Sequence, residues 1–320
     1  MVGEFVSIGR INIDIDMRVD KLPGPNDHIM CDVGYVSLGG SAANFATQAT
    51  KLGTKTTLIS CVGDDAYGEL VFRELSKIGV DTSKILVLEK HDTGIFFHAR
   101  DPQDDTIVVA KPGANKFLEK RVIEDDNIAE AKVIHVAGSF PRMIDRASEI
   151  ASSNGMVLSL DPGRAAQGLD FNKILRQTDL LFLNVSELKE YFNLEPTEKS
   201  LRDFAKSFPG IVIVKMGEKG AVATDGFEYC SSQVFEVAVK DTLGAGDSFA
   251  AGFITAWTRS EKIPQALNFA NAAAALTIKQ EGAQQGQPSL DEISRLLRNH
   301  NIAIDSILKT YKQRPKGRRR

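Results

Sequence analysis

The chain has 320 residues, with 39 Lys and Arg against 42 Asp and Glu, a net charge of −3, and 42% hydrophobic and 25% charged residues. This composition excludes a disordered chain, because apolar surface is sufficient to offset chain entropy, and no run reaches the ~18 uncharged apolar residues of a membrane helix. The near-neutral balance gives no electrostatic reason for a nucleic-acid partner. The opening MVGEFVSIGR lacks the basic and apolar regions of a secretory leader, and Cys31, Cys61 and Cys230 form neither a metal pattern nor a disulfide framework, so a cytoplasmic protein is expected.

In chain order, short apolar runs predict buried strands at Phe5–Gly9, Thr56–Cys61, Val133–Ala137, Met156–Leu160, Leu180–Leu183 and Ile211–Lys215. Helical patterns fall between them at Ala42–Leu52, Tyr67–Ile78 and Arg142–Ser153, the first two followed by Gly53 and Gly79, which can close a helix in the left-handed conformation. The alternation predicts an α/β fold, a mostly parallel central sheet covered by helices on both faces. Ile11–Val36 reads as extended, with turn residues at 22–27, and Gly94–Ala110 reads as a hairpin around residues 101–105. Together they predict a small β-sheet lid over a cleft, the alternative being edge strands of the main sheet. The last third is helical at Asp247–Arg259, Ile263–Lys279, Leu290–Asn299 and Ile302–Tyr311. Residues 1–310 are expected to be one domain, and 311–320, with six basic residues and no acid, a solvated, disordered tail.

The chemistry is concentrated in Asp241-Thr242-Leu243-Gly244-Ala245-Gly246-Asp247, which runs into a helix whose Phe249, Phe253 and Trp257 recur every four residues. Gly244, Ala245 and Gly246 therefore open that helix, where unpaired N–H groups and the positive dipole end suit a phosphate or the charge that builds on a migrating phosphoryl group. Asp247 is either a first-turn acid that satisfies the dipole or a base that takes a proton from a hydroxyl nucleophile. The dipole predicts that it is ionised at pH 7. Six fixed positions at ordinary residue frequencies would coincide by chance about once in 10⁵ chains of this length.

These residues resemble the DTxGAGD signature of the ribokinase-like, or pfkB, carbohydrate kinases, and the resemblance runs from about residue 4 to about residue 300. It implies a three-layer α/β/α sandwich with a small β-lid and an ATP-dependent transfer of phosphate to a sugar, with Asp247 as base and Gly244, Ala245 and Gly246 as the anion hole. Asn12 and Asp14, in a GxxNxD-like segment, and Gly39, Gly40 and Asn44, in a GGxxxN-like segment, are implied to bind the sugar; Ser41 also reads as the N-cap of the helix that follows. Asn184 and Glu187 match an NxxE segment that organises Mg²⁺ and the phosphates. Lys215, Gly217 and Gly220 match a turn beside the nucleotide, and Asn271 a position against the adenine. Asp241, Leu243 and Gly282 are similar to the surroundings of a K⁺ site.

Two departures weaken the case for ribose: Ser41 stands where ribokinases have lysine, and Gly138-Ser139-Phe140-Pro141 has no acid. Asp161-Pro162-Gly163-Arg164 resembles nucleoside kinases of the same family, and Arg164 is either a surface arginine or a partner for an acidic sugar. His98 is expected to be a partly buried lid residue and His135 a satisfied core residue. The first expectation is thus a sugar kinase of the ribokinase, fructokinase or 2-keto-3-deoxygluconate kinase type. The second is a nucleoside kinase, with Phe96, Phe97 and Val109 as a slot for the base. The third is a non-catalytic sugar or nucleotide sensor. Exposed lid edges predict a homodimer through the lid.

Overall fold

The computed structural model describes residues 3–308 apart from 104, 121–122, 124–127, 129, 165, 261 and 305–306. Apolar runs too short for helices become strands in a nine-stranded sheet: β1 (Phe5–Gly9), β4 (Thr56–Gly63), β5 (Ile85–Leu88), β8 (Val133–Ala137), β9 (Val157–Asp161), β10 (Leu180–Asn184), β11 (Ile211–Lys215), β12 (Ala221–Thr224) and β13 (Tyr229–Ser232). Their order is β13-β12-β11-β10-β9-β8-β1-β4-β5, with all neighbours parallel except that β12 runs antiparallel to both β11 and β13. The central strands β1, β4 and β8 are buried along their whole length, as strands covered on both faces must be.

Helices α1 (Ser41–Lys51), α2 (Ala66–Ile78), α3 (Pro141–Asn154), α4 (Phe171–Leu175), α5 (Val185–Phe192), α6 (Glu198–Ala205), α7 (Ala245–Ser260), α8 (Ile263–Thr277) and α9 (Leu290–Asn299) cover the sheet. One core gathers α3, α5 and α6 against it; a second gathers α1, α7, α8 and α9, with Phe249 and Phe253 edge-on to Phe182. Gly79 ends α2 in the left-handed conformation, as its position predicts, and Gly53, just past α1, is left-handed too. Gly40, rather than Ser41, caps α1, because Ser41 is already helical. The expected helix at Ile302–Tyr311 does not begin at Ile302, and half of it, like the basic tail, lies outside the described residues.

The remaining strands, β2 (Asn12–Arg18), β3 (Val33–Gly39), β6 (Gly94–Arg100) and β7 (Thr106–Lys111), form a separate four-stranded sheet in the order β3-β2-β6-β7. The lid is therefore a sheet of its own and not an extension of the main one. The order of successive strands across the main sheet reverses between β1 and β8, which run parallel, and such a switch point leaves a crevice beyond the carboxyl ends of the strands.

Candidate active site

The crevice is a cavity of about 450 Å³. It opens beyond the ends of β1, β8 and β9, where Gly9, Ala137 and Asp161 stand in register, and lies under the lid. Of the residues predicted from sequence, Asn12, Asp14, Gly40, Asn44, Leu243, Gly244 and Asp247 line it, although they are up to 235 positions apart in the chain.

Alternation along the lid strands puts Asn12, Asp14, Asp16 and Arg18 on one face, opposite Gly39, Ser37, Tyr35 and Val33 of β3 and Gly94, Phe96, His98 and Arg100 of β6. Asn12 is held by Asn115, whose Nδ2 donates to its Oδ1 at 3.0 Å. The Asp14 carboxylate lies on Gly39: a β-carbon there would be 1.9 Å from Oδ2, so only glycine admits the acid. Burial, with the charges of Asp16, Asp247 and Asp241 behind it, pushes Asp14 up to about 7.

Helix α7 starts at Ala245, so Gly244 to Gly246 occupy the expected N-terminus. Ala245 turns its N–H toward Thr242 O at 3.3 Å and contributes less to an anion hole than expected. Gly246 and Asp247, in the first turn, have no intrahelical acceptor by geometry. Asp247 Oδ2 accepts from Asn44 Nδ2 at 2.7 Å, and Asn44 Oδ1 accepts from Gln284 Nε2 at 3.0 Å. Thr47 donates in turn to Gln284 at 3.2 Å. Asn44, expected to bind sugar, is thus first a support for Asp247. Burial raises Asp247 to about 7 against the bonds from Asn44 and Ser41 that lower it, so the carboxyl is not fully ionised at neutral pH, contrary to the expectation from the helix dipole.

Lys215 ends β11 and pairs with Asp161 at 2.5 Å. Its ammonium lies 3.4 Å from where a Gly246 β-carbon would stand, which puts a cation beside the anion hole. Burial alone would lower Lys215; the charges of Asp161 and Glu187 outweigh it and raise it. Gly217 opens and Gly220 caps a single 3₁₀ turn after the strand, both at positive φ, +59° and +82°. Asn271 donates to Ser232 O and Gln233 O at 3.1 and 3.2 Å and so ties α8 to the end of β13. Asn184 and Glu187 form a capping box at the start of α5, each side chain accepting from the other's backbone N–H at 2.9 Å. That arrangement leaves Glu187 Oε1 outside the box. Burial and the charge of Asp161 raise Glu187, so a cation there would be favoured, and the donor set fits a Mg²⁺ ion that keeps most of its waters.

The residues implied for K⁺ fit it poorly. Asp241, whose side chain is 0% exposed, accepts from Tyr35 Oη and Gly282 N at Oδ2, both at 3.0 Å, and from Leu243 N at Oδ1 at 3.1 Å. Arg100 Nη1 stands 3.6 Å from the same Oδ1. Both oxygens already face donors, one of them a guanidinium that would repel a second cation.

The family model of pfkB carbohydrate kinases matches residues 3–290. The chain belongs to this family. It is 34% identical over 293 residues, 91% of this chain and 97% of the relative, to the ATP-dependent ribose-1-phosphate kinase of Halopiger xanaduensis. The crystal structure of the Methanocaldococcus jannaschii nucleoside kinase superposes with a TM-score of 0.84 at 26% identity, covering 92% of this chain and 98% of that one. Arabidopsis thaliana ribokinase in complex with ribose and ATP superposes with a TM-score of 0.83 at 26% identity, covering 93% and 99%. The pfkB kinase is therefore a phosphotransferase with an alcohol acceptor, and its family's kinases use ATP.

Several features of this pfkB kinase were not assigned a role by sequence reasoning. Arg10 lies in the cavity, its guanidinium 5.3 Å above the Phe140 ring. It directly follows a motif glycine, and that adjacency was the available signal. Asp161 and Gln284 act through partners 54 and 240 positions away, which no local pattern reveals. Arg164 lines the cavity. Of the proposed base slot only Phe96 lines it: Phe97 and its partner Val109 project from the opposite lid face, Val109 being exposed. His98 is buried in the cavity wall, stacked on Phe96. His135 is a core residue as expected, stacked on Phe45 at 4.0 Å, bonded to Ser159, and pushed down to about 3 by burial.

Proposed function

We propose that the kinase phosphorylates the hydroxymethyl group of a small sugar that carries an anionic group of its own, a pentose 1-phosphate being the best fit. The observation that carries this is the pair of arginines in the cavity wall, Arg10 and Arg164, neither of which has an ion-pair partner among the described residues. Two unpaired guanidiniums beside a polar cavity suit a phosphate, which they can grip with forked hydrogen bonds. The name of the Halopiger xanaduensis relative agrees with this reading.

In this reading Asn12 and Asp14 hold the sugar hydroxyls, the carboxylate accepting from two at once. Gly40 lets the sugar approach the backbone. Asp247, oriented by Asn44, takes the hydroxymethyl proton as the oxygen bonds to the γ-phosphorus and the bond from phosphorus to the ADP oxygen breaks. The N–H groups of Gly246 and Asp247, with Lys215, face the charge on the phosphoryl oxygens. Glu187 and Asn184 would hold Mg²⁺, which would supply neutralisation of the phosphate charge. Gly217, Gly220 and Asn271 shape the nucleotide side.

An acceptor panel tests the assignment with ATP and Mg²⁺: ribose 1-phosphate, ribose, fructose, 2-keto-3-deoxygluconate and nucleosides. The sugar phosphate is expected to have the highest kcat/KM. Arg164→Ala should raise its KM roughly 10- to 100-fold, the loss of a charged hydrogen-bonding partner, with kcat little changed. Better turnover of ribose or of a nucleoside would overturn the reading, and acceptor-dependent ADP release excludes a mere sensor.

The lid also supports a homodimer. Val33, Val36, Val108 and Val109 on its two edge strands are each more than half exposed, and unpaired edges with apolar side chains favour pairing with another copy. Sedimentation at equilibrium should give twice 34.9 kDa; Val36→Lys should halve it. Free Cys31, Cys61 and Cys230 suit a reducing cytoplasm, and among the described residues no helix is long and apolar enough to cross a membrane.

A further inference from the structure

Beyond the sugar, the lid carries a second row of chemistry. Arg18 and Arg100 are register partners on the parallel strands β2 and β6, so two guanidiniums leave the same face of the lid side by side. Like charges so placed repel each other unless carboxylates answer them. The body answers both: Asp241 lies 3.6 Å from Arg100, and Glu281 lies 3.7 Å from Arg18. Tyr35, one row nearer the sugar on β3, donates to the same Asp241 at 3.0 Å. The buried end of this contact is the Arg100–Asp241 pair, with side chains 12% and 0% exposed; the Arg18–Glu281 pair is far wetter, at 28% and 46%. A pair so little hydrated is screened weakly, and removal of one partner leaves an uncompensated charge.

We propose that Arg100 is a positioning residue that supplies, from the lid, the positive charge a monovalent cation would otherwise bring to Asp241, and that the kinase is for this reason independent of K⁺. Asp241 Oδ1 also accepts from Leu243 N at 3.1 Å, so the guanidinium braces the turn that delivers Gly244 to the start of α7. Asp241 is six residues before Asp247. Lid closure over the acceptor and formation of the anion hole are thereby one event: when β6 lifts, Asp241 loses its cation and Tyr35 together, and the turn loses the charge that balances it. The inference rests on the reading of Asp247 and the anion hole as the transfer site, but its structural half does not need turnover to be measured.

The unmodified enzyme is assayed in potassium chloride and in choline chloride at equal ionic strength. Equal kcat and equal melting temperature in the two salts are expected. Arg100→Ala should lose roughly 10- to 100-fold in kcat/KM in choline, the usual effect of a small misplacement at a transfer site. K⁺ should restore much of that loss and raise the melting temperature of the variant. Arg100→Lys should retain activity in choline. Strong K⁺ activation of the unmodified enzyme would overturn the proposal, as would an Arg100→Ala variant that needs no cation, or one that melts like its parent in choline and is rescued by none. If Arg100→Ala does not fold, the unmodified enzyme and Arg100→Lys decide. The melting comparison reads cation binding without catalysis, so it stands even if Asp247→Asn proves active and the transfer-site reading fails.

Discussion

Asp247→Asn is expected to lower kcat by roughly 10²- to 10⁴-fold while acceptor and ATP binding are largely kept. The exchange keeps shape and the bond from Asn44, which donates at 2.7 Å to an oxygen that the amide also possesses. What it removes is the ability to take the hydroxymethyl proton. The parent should reveal the same group in its pH profile. With Asp247 near 7 in the free enzyme, kcat/KM should rise with pH through about 7 and level off above it. Asp14, also near 7, contributes to the same limb. Asn44→Leu removes a bond that lowers Asp247 and should move the limb to higher pH. The sign for stability is opposite. Asp14 and Asp247 hold protons in the folded chain between about pH 4 and 7 that the unfolded chain has released, so their contribution to stability falls as pH rises across that window. Asp247→Asn should therefore melt higher than the parent at pH 8 although it is nearly inactive. Near-normal turnover, or a profile flat between pH 5 and 8, would remove Asp247 from the mechanism.

Gly244→Ala is expected to lower kcat by roughly 10²- to 10³-fold, as loss of an anion-hole donor does. Gly244 has φ of +72°, and a β-carbon there would stand 2.4 Å from Ala283 O. The backbone carbonyl of Ala283 cannot swing aside like the end of a flexible side chain, so the turn itself must move, and the N–H groups of Gly246 and Asp247 move with it. Gly155→Ala is the control. Gly155 closes α3 at φ +65° with nothing within 4 Å of the added atom. It stores the same backbone strain, on the order of 1–3 kcal/mol, without the collision. Both variants should melt lower than the parent, but only Gly244→Ala should lose activity. Equal activities for the two would mean that the turn does not present the anion hole.

The parallel sheet was legible because each buried strand is a short continuous apolar run bounded by turn residues, and β1, β8 and β11 appear with the predicted limits. The small lid sheet was legible from two extended stretches without helical periodicity. Its pairing was not, because β2 lies between β3 and β6, and the β2–β6 pairing joins segments about 80 residues apart. Asn12, Asp14, Asn44 and Asp247 could be picked out singly from their motifs, yet the motifs did not show that Asn44 bonds Asp247 rather than simply facing the sugar. Asp241 is the clearest departure: the motif suggested a metal ligand, whereas Tyr35 and Arg100 from the lid occupy its oxygens.

Local chain chemistry alone determined that glycines and an acid open α7, to within two residues of where it begins at Ala245, and made that end a candidate for an anion, since a helix N-terminus exposes its N–H groups whatever surrounds it. Tertiary structure decided how those groups behave. Burial carries Asp247 to about 7 against the bonds from Asn44 and Ser41, and Lys215 and Asp161 meet across strands 54 residues apart. Two arginines 154 positions apart, Arg10 and Arg164, line one cavity, and a third, Arg100 on the lid, reaches Asp241. Desolvation and charge pairing depend on what packs nearby in space, and neighbours in space are not written in neighbours along the chain.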